Sequence, residues 1–248
     1  MKTIIANWKM ELGVRESVAL ARGVLRGLRG MQDVPNILVA PTFPALFEVS
    51  KVLGRSRVQL AAQTVHTEEQ GAYTGSVSAK VLKEVGVQAV ILGHSETRAM
   101  GETDEDVHQK VDLALRHGLH VIVAVGESMA TREAGETEGF IHDQIKTIFT
   151  GIHPTKRHTI YVAYEPLWAI GSGKVPSIQD VSSVHTAIKQ QLDELDILDV
   201  SVLYGGSVIP ENAYEFLNHS SVDGVLVGGA SVRIKSLMEL IHLASELS

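Results

Sequence analysis

Thr159-Ile160-Tyr161-Val162-Ala163-Tyr164 is a run of strand-forming residues that leads directly into Glu165-Pro166 and then, after a Gly-containing loop, into Ser177–Leu195. The run does not alternate apolar with polar, so it reads as a strand buried on both faces, the habit of parallel sheets. Ser177–Leu195 opens on a residue suited to an N-cap and carries Val181, Val184, Ile188 and Leu192 at helical spacing. The stretch is one strand, one loop and one amphipathic helix.

Working outward, the same unit recurs to both ends of the chain. Further strands are predicted at Thr3–Asn7, Asn36–Ala40, Val58–Ala62, Ala89–Leu92, His120–Val125, Val200–Tyr204 and Gly224–Val227. Ile37-Leu38-Val39 and Val121-Ile122-Val123 show the same unbroken apolar character. Helical spacing appears at Ser17–Arg29, Asp104–His117 and Ser231–Leu247. Eight strands, each followed by a helix, is the count of an α/β protein built as a (β/α)8 barrel of parallel strands with outer helices. A doubly wound sheet also alternates β and α, so the repeat alone leaves both open. No linker, charge block or low-complexity segment divides residues 1–248, so one domain is expected.

Composition narrows the function classes. Apolar residues are 44% and charged residues 21%, the balance of a soluble globular protein. There is no cysteine, which excludes disulfides, thiol nucleophiles and cysteine metal sites and fits a reducing cytoplasm. Net charge is −7, without a basic run, so neither nucleic acid nor a membrane surface is an expected partner. The N-terminus reaches Asn7 and Lys9 too soon for a signal peptide, and no stretch of about 18 apolar residues occurs. A soluble, cytoplasmic protein is expected. An anionic substrate would meet a repulsive bulk charge, so a phosphate site must be built locally.

In a barrel of this kind the chemistry sits where strands end and βα loops begin. Those positions hold Asn7-Trp8-Lys9, Gly93-His94-Ser95-Glu96, Glu165-Pro166, Gly205-Gly206-Ser207 and Gly228-Gly229. A cation, an imidazole, a carboxylate and two Gly-rich turns converge from five strands. Gly-rich turns entering helices offer bare N–H groups and a positive dipole end, which suit a phosphate. Plainer readings exist: Lys9 as a solvated charge, His94 as a structural histidine, Glu165 as an exposed loop acid, the glycines as tight turns. Pro166-Leu167-Trp168-Ala169-Ile170-Gly171-Ser172-Gly173-Lys174-Val175-Pro176 is apolar at its centre and bounded by Pro and Gly, the composition of a closing lid beside Glu165. None of these residues has metal-ligand spacing, and no nucleotide fingerprint follows the first strand.

Five segments then carry a resemblance. Ala6–Met10, Gly93–Glu96, Ala163–Lys174, Tyr204–Val208 and Asp223–Ser231 resemble, in order and across nearly the whole chain, the triosephosphate isomerase family. The resemblance implies a TIM barrel that interconverts dihydroxyacetone phosphate and glyceraldehyde 3-phosphate with neither metal nor cofactor. It implies that Glu165 is the base, that His94 polarises the carbonyl and shuttles protons, and that Lys9 with Asn7 binds substrate and developing charge. Glu96 supports the site beside Lys9, while Gly171, Ser207, Gly228 and Gly229 hold the phosphate. It also implies a homodimer in which the loop Gln63–Gly75, with Tyr73, Thr74 and Gly75, enters the partner so that Thr74 approaches Asn7 and Lys9 there. The chain departs from the family at Thr97-Arg98, in the short loop Ala99–Glu102, at Ala124, at Ser172 in the lid and at Pro176 in its far hinge. Two rivals remain in view: another phosphate-binding aldose–ketose isomerase barrel, which has no reason to place Lys9, His94 and Glu165 together, and a barrel retained for binding alone.

Overall fold

The computed structural model describes residues 1–155, 157–170 and 174–247. Its eight strands are β1 (Thr3–Asn7), β2 (Asn36–Ala40), β3 (Val58–Ala62), β4 (Ala89–Leu92), β5 (His120–Val125), β6 (Ile160–Tyr164), β7 (Ser201–Tyr204) and β8 (Gly224–Val227). All pair in parallel in sequence order, and β1 pairs with β8 as well as β2, which closes the barrel. Closure removes the flat-sheet alternative. The expected strands fall in place, with β6 and β7 each beginning one residue later than the apolar pattern.

Two apolar layers follow from the two-residue period of a strand. Ile5, Leu38, Ile91, Ile122, Tyr161, Ala163, Leu203 and Leu226 fill the barrel interior, while Ile4, Ala6, Ile37, Val39 and Val162 face the helices. The interior set also fixes where the next residues along each strand point. Two positions beyond Ile5 is Asn7; beyond Ala163 is Glu165; beyond Leu203 is Gly205; beyond Leu226 is Gly228. The strand period thus aims these four at the mouth of the barrel.

The outer helices are α1 (Val14–Gly27), α2 (Phe43–Leu53), α3 (Ala79–Val85), α4 (Ser95–Ala99), α5 (Asp104–Arg116), α6 (Met129–Glu133), α7 (Thr137–Phe149), α8 (Ile178–Glu194), α9 (Pro210–Leu217) and α10 (Ile234–Glu246). Three differences from the sequence reading have local causes. The first helix begins at Val14 rather than Ser17, because Glu16 reaches back to the Gly13 N–H and caps the turn there. The last is preceded by a separate 3₁₀ turn, Gly229–Val232. The short helices α4 and α6 are additions to one helix per strand, each started by a side chain that accepts a backbone N–H: His94 for α4 and Ser128 for α6. Ser177 caps α8 as expected, accepting from the Asp180 N–H. Among the described residues no helix is long and apolar enough to cross a membrane.

Candidate active site

Asn7, Lys9, His94, Glu96, Glu165, Ile170, Ser207, Gly228 and Gly229 line one cavity of about 420 Å³ at the C-terminal end of the barrel. Residues that are up to 222 positions apart in the chain are brought together there because five parallel strands end at the same rim.

Lys9 is held in an unusual backbone conformation. Its φ is +47°, a left-handed value that is uncommon for any side-chain-bearing residue and costs of order 1–3 kcal/mol. Its N–H donates to Asn7 Oδ1 at 3.0 Å, and its carbonyl accepts from Gln63 Nε2 at 2.8 Å. The ammonium lies 2.6 Å from Glu96 Oε1, in the open part of the cavity. Asn7 is 5% exposed, so its amide is spent on local geometry as well as facing the site.

His94 is 6% exposed and stands at the N-cap of α4. Its Nδ1 accepts the Glu96 backbone N–H at 3.2 Å. That lone pair being used, the ring proton sits on Nε2, the nitrogen that faces the cavity and lies 3.3 Å from Glu165 Oε1. Glu165 is 2% exposed, and its other oxygen accepts the Ser95 N–H at 3.0 Å. The carboxylate therefore rests between a fixed backbone donor and an imidazole N–H.

Two glycines make room for it. A Cβ at Gly126 would lie 1.7 Å from the Glu165 carbonyl oxygen, and one at Gly205 would lie 2.7 Å from Glu165 Cγ. Any side chain at either position pushes the carboxylate off its place. Gly126 went unnoticed in the sequence, although it sits two residues beyond the interior strand position Ala124, the same signal that marks Glu165.

Glu127 is another residue that sequence reading passed over. It is 0% exposed, and its Oε1 accepts from Tyr164 Oη at 3.0 Å and from Trp168 Nε1 at 2.9 Å. Burial first, and the neighbouring Glu127 second, push the Tyr164 hydroxyl well above the usual phenol range. The Glu127 carbonyl also accepts the Leu167 N–H at 3.1 Å. An acid just past the apolar run of β5 was the available signal, one Gly further out than Glu165 is from β6.

Of the expected lid, Pro166, Ala169 and Pro176 are buried, while Leu167, Lys174 and Val175 are exposed. Trp168 packs on Glu127, and Ile170 lines the cavity. Ser207, expected at the phosphate, donates its hydroxyl to the Ala169 carbonyl at 3.1 Å, joining the lid to the turn after β7. Gly171, Ser172 and Gly173 lie outside the described residues. The Gly228 and Gly229 turn leads into the 3₁₀ turn, whose leading N–H groups have no partner within the turn. In the loop after β3, Tyr73, Thr74 and Gly75 are exposed and the Tyr73 ring packs tilted against His66, whereas Gln63 turns inward to the Lys9 and Ala40 carbonyls. Among the described residues no group of three or more His, Asp or Glu side chains is placed to hold a metal ion.

The family model described as triosephosphate isomerase matches residues 2–244. The chain belongs to the triosephosphate isomerase family. Triosephosphate isomerase of Alkaliphilus metalliredigens is 42% identical over 247 residues, covering 97% of this chain and 99% of that one. The triosephosphate isomerase of Aquifex aeolicus is 40% identical, covering 97% and 98%. The crystal structure of triosephosphate isomerase from Bartonella henselae superposes with a TM-score of 0.87 at 31% identity, covering 98% of each chain.

Proposed function

We propose that this barrel interconverts dihydroxyacetone phosphate and D-glyceraldehyde 3-phosphate through an enediolate, with Glu165 as the base. The observation that carries the reading is the placement of a buried carboxylate, an imidazole Nε2–H and an ammonium around one cavity that also contains two Gly-rich turns. Glu165 takes the proton from the carbon beside the carbonyl. The electron pair moves onto the carbonyl oxygen, where the His94 Nε2–H and the Lys9 ammonium meet the developing charge. Fixed donors aimed at such an oxyanion are typically worth about 10²–10³ in rate each. His94 passes the hydroxyl proton from one enediolate oxygen to the other. Return of the carbon-derived proton from Glu165 to the neighbouring carbon, with the new carbonyl forming as it arrives, completes the isomerisation. Asn7 holds the Lys9 backbone in place, and Glu96 holds its ammonium. Ser207, Gly228 and Gly229, with Gly171 of the lid, take the phosphate, and closure of 166–176 excludes water while the enediolate lives. In heavy water, product recovered before equilibrium carries deuterium at the carbon that receives a proton, and recovered substrate carries it at the carbon that loses one. Turnover without any exchange from solvent would contradict a proton-transfer route through an exchangeable acid.

The chain works, on this reading, as a single cytoplasmic catalytic domain that pairs with a second copy of itself. Supporting the pairing are the exposed apolar side chains Met10, Tyr73 and Met100 and a cavity of about 480 Å³ lined by His66, Thr97 and Met100 beside the loop that carries Thr74. Thr74 then approaches the partner's barrel mouth. Light scattering on the eluting protein gives twice the 26.8 kDa of one chain if this holds, and 26.8 kDa if it does not.

A further inference from the structure

The lid leaves the barrel after Glu165 and rejoins it at Ser177, the cap of α8, and both ends rest on the same short helix. At the leaving end, the Arg132 guanidinium of α6 lies over the Trp168 ring, 4.4 Å from its centre. At the rejoining end, Arg132 Nη2 is 2.9 Å from Asp180 Oδ2 in the first turn of α8. That same carboxylate oxygen accepts the Ser177 hydroxyl at 2.8 Å. Trp168 is in turn bonded to the buried Glu127, which also holds Tyr164, the residue before Glu165. A planar guanidinium can stack by its face and pair by its edge at once, which an ammonium cannot do.

We propose that Arg132 is a positioning residue for the isomerisation: it staples both ends of the lid to the loop after β5, so that the two hinges move together. The proposal rests on the reading of Glu165 as base and 166–176 as lid. Among the described residues that line the cavity Arg132 is not one, and it acts through Trp168 and Asp180. Burial alone would raise Asp180, but the Ser177 hydroxyl and the Arg132 pair together bring it below its usual value, in keeping with an ion pair that persists at neutral pH. A stacked cation together with a half-exposed ion pair biases a resting position by about threefold to thirtyfold. Without it the hinges open independently, and the enediolate loses protection during its lifetime. An unprotected enediolate can expel its phosphate: its electron pair forms a carbon–carbon double bond as the C–O bond to phosphate breaks, giving inorganic phosphate and the enol of a three-carbon dicarbonyl.

The test compares wild type with Arg132→Ala, Arg132→Lys and Asp180→Asn. It reads kcat and KM, inorganic phosphate released per isomerisation, and the change in Trp emission on saturation with glycerol 3-phosphate, which has the phosphate but no carbonyl. In Arg132→Ala, phosphate release per turnover should rise by about threefold or more, and the emission of the free protein should already be altered. Asp180→Asn should give part of the effect, and Arg132→Lys should restore only the part due to the ion pair. Asp180 is half-exposed, so Asp180→Asn carries the test alone if Arg132→Ala does not fold. Wild-type phosphate release and emission in the variants, or a fall in kcat without change in either, overturn the proposal. Absence of turnover in wild type would instead refute the reading of the site.

Discussion

The Gln63 side-chain amide donates to the Lys9 carbonyl and to the Ala40 carbonyl, each at 2.8 Å, and thereby ties a left-handed lysine on the first strand's loop to the ends of the second and third strands. Lys9 is held from the other side by Asn7. The strain at Lys9 is therefore over-determined by neighbours, and its ammonium is aimed by its backbone rather than by its own flexible stem. Gln63→Leu removes the donor and leaves two carbonyls without it. A loss of about tenfold in kcat/KM is expected, with the fold retained, since an unsatisfied buried acceptor costs about 1–3 kcal/mol. Circular dichroism with steady-state kinetics checks both halves. Wild-type kinetics in a folded variant would show that Lys9 needs no such support.

Glycine at 205 sets the position of the base. Gly205→Ala places a methyl carbon against Glu165 Cγ, so the carboxylate must turn away from Ser95 and His94. The expected result is a fall in kcat on the order of 10²-fold, because misplacing a reacting group by about 1 Å carries a cost of that size. Gly126→Ala meets backbone rather than side chain and should also lower thermal stability. Unfolding temperature and kcat measured together separate the two, and an active, stable Gly126→Ala would refute the close approach.

Much of this arrangement was legible in the sequence. The barrel was readable because strands buried on both faces are unbroken apolar runs, and Asn7, His94 and Glu165 were readable because each follows such a run. Gln63, Glu127 and Arg132 were not placed in the site's support, for a common reason. They act on backbone carbonyls or on other loops, as Arg132 does on Asp180 across 48 residues, and nothing local in the sequence encodes a partner so far away. The five-residue helices α4 and α6 are too short to show a helical period, so only their capping residues could have hinted at them.

Acid stability should depend on a residue outside the site. His185 of α8 is fully buried, and its Nδ1 donates to the Ser221 carbonyl while Nε2 has no partner among the described residues. Burial brings it down from 6.5 to about 4, against the opposing pull of the Ser221 carbonyl and Asp223. A histidine lowered by folding takes up its proton more readily in the unfolded chain, so stability is full above about pH 6.5 and declines as pH falls toward 4. The contribution is about 3 kcal/mol across that window. His185→Phe should lose stability at pH 7 through the missing hydrogen bond but show a shallower decline toward pH 4. Denaturant unfolding at several pH values measures the two slopes, and parallel slopes would contradict the assignment.

The role of Glu165 is tested most directly by isomerase turnover in Glu165→Gln. Purified wild type with glyceraldehyde 3-phosphate, followed through a dehydrogenase that consumes dihydroxyacetone phosphate, should turn over without added metal. The variant should lose activity by a factor on the order of 10³ or more while still binding glycerol 3-phosphate, since Glu165 is the base and not a phosphate contact. Wild-type turnover in a folded Glu165→Gln would contradict the account at its centre.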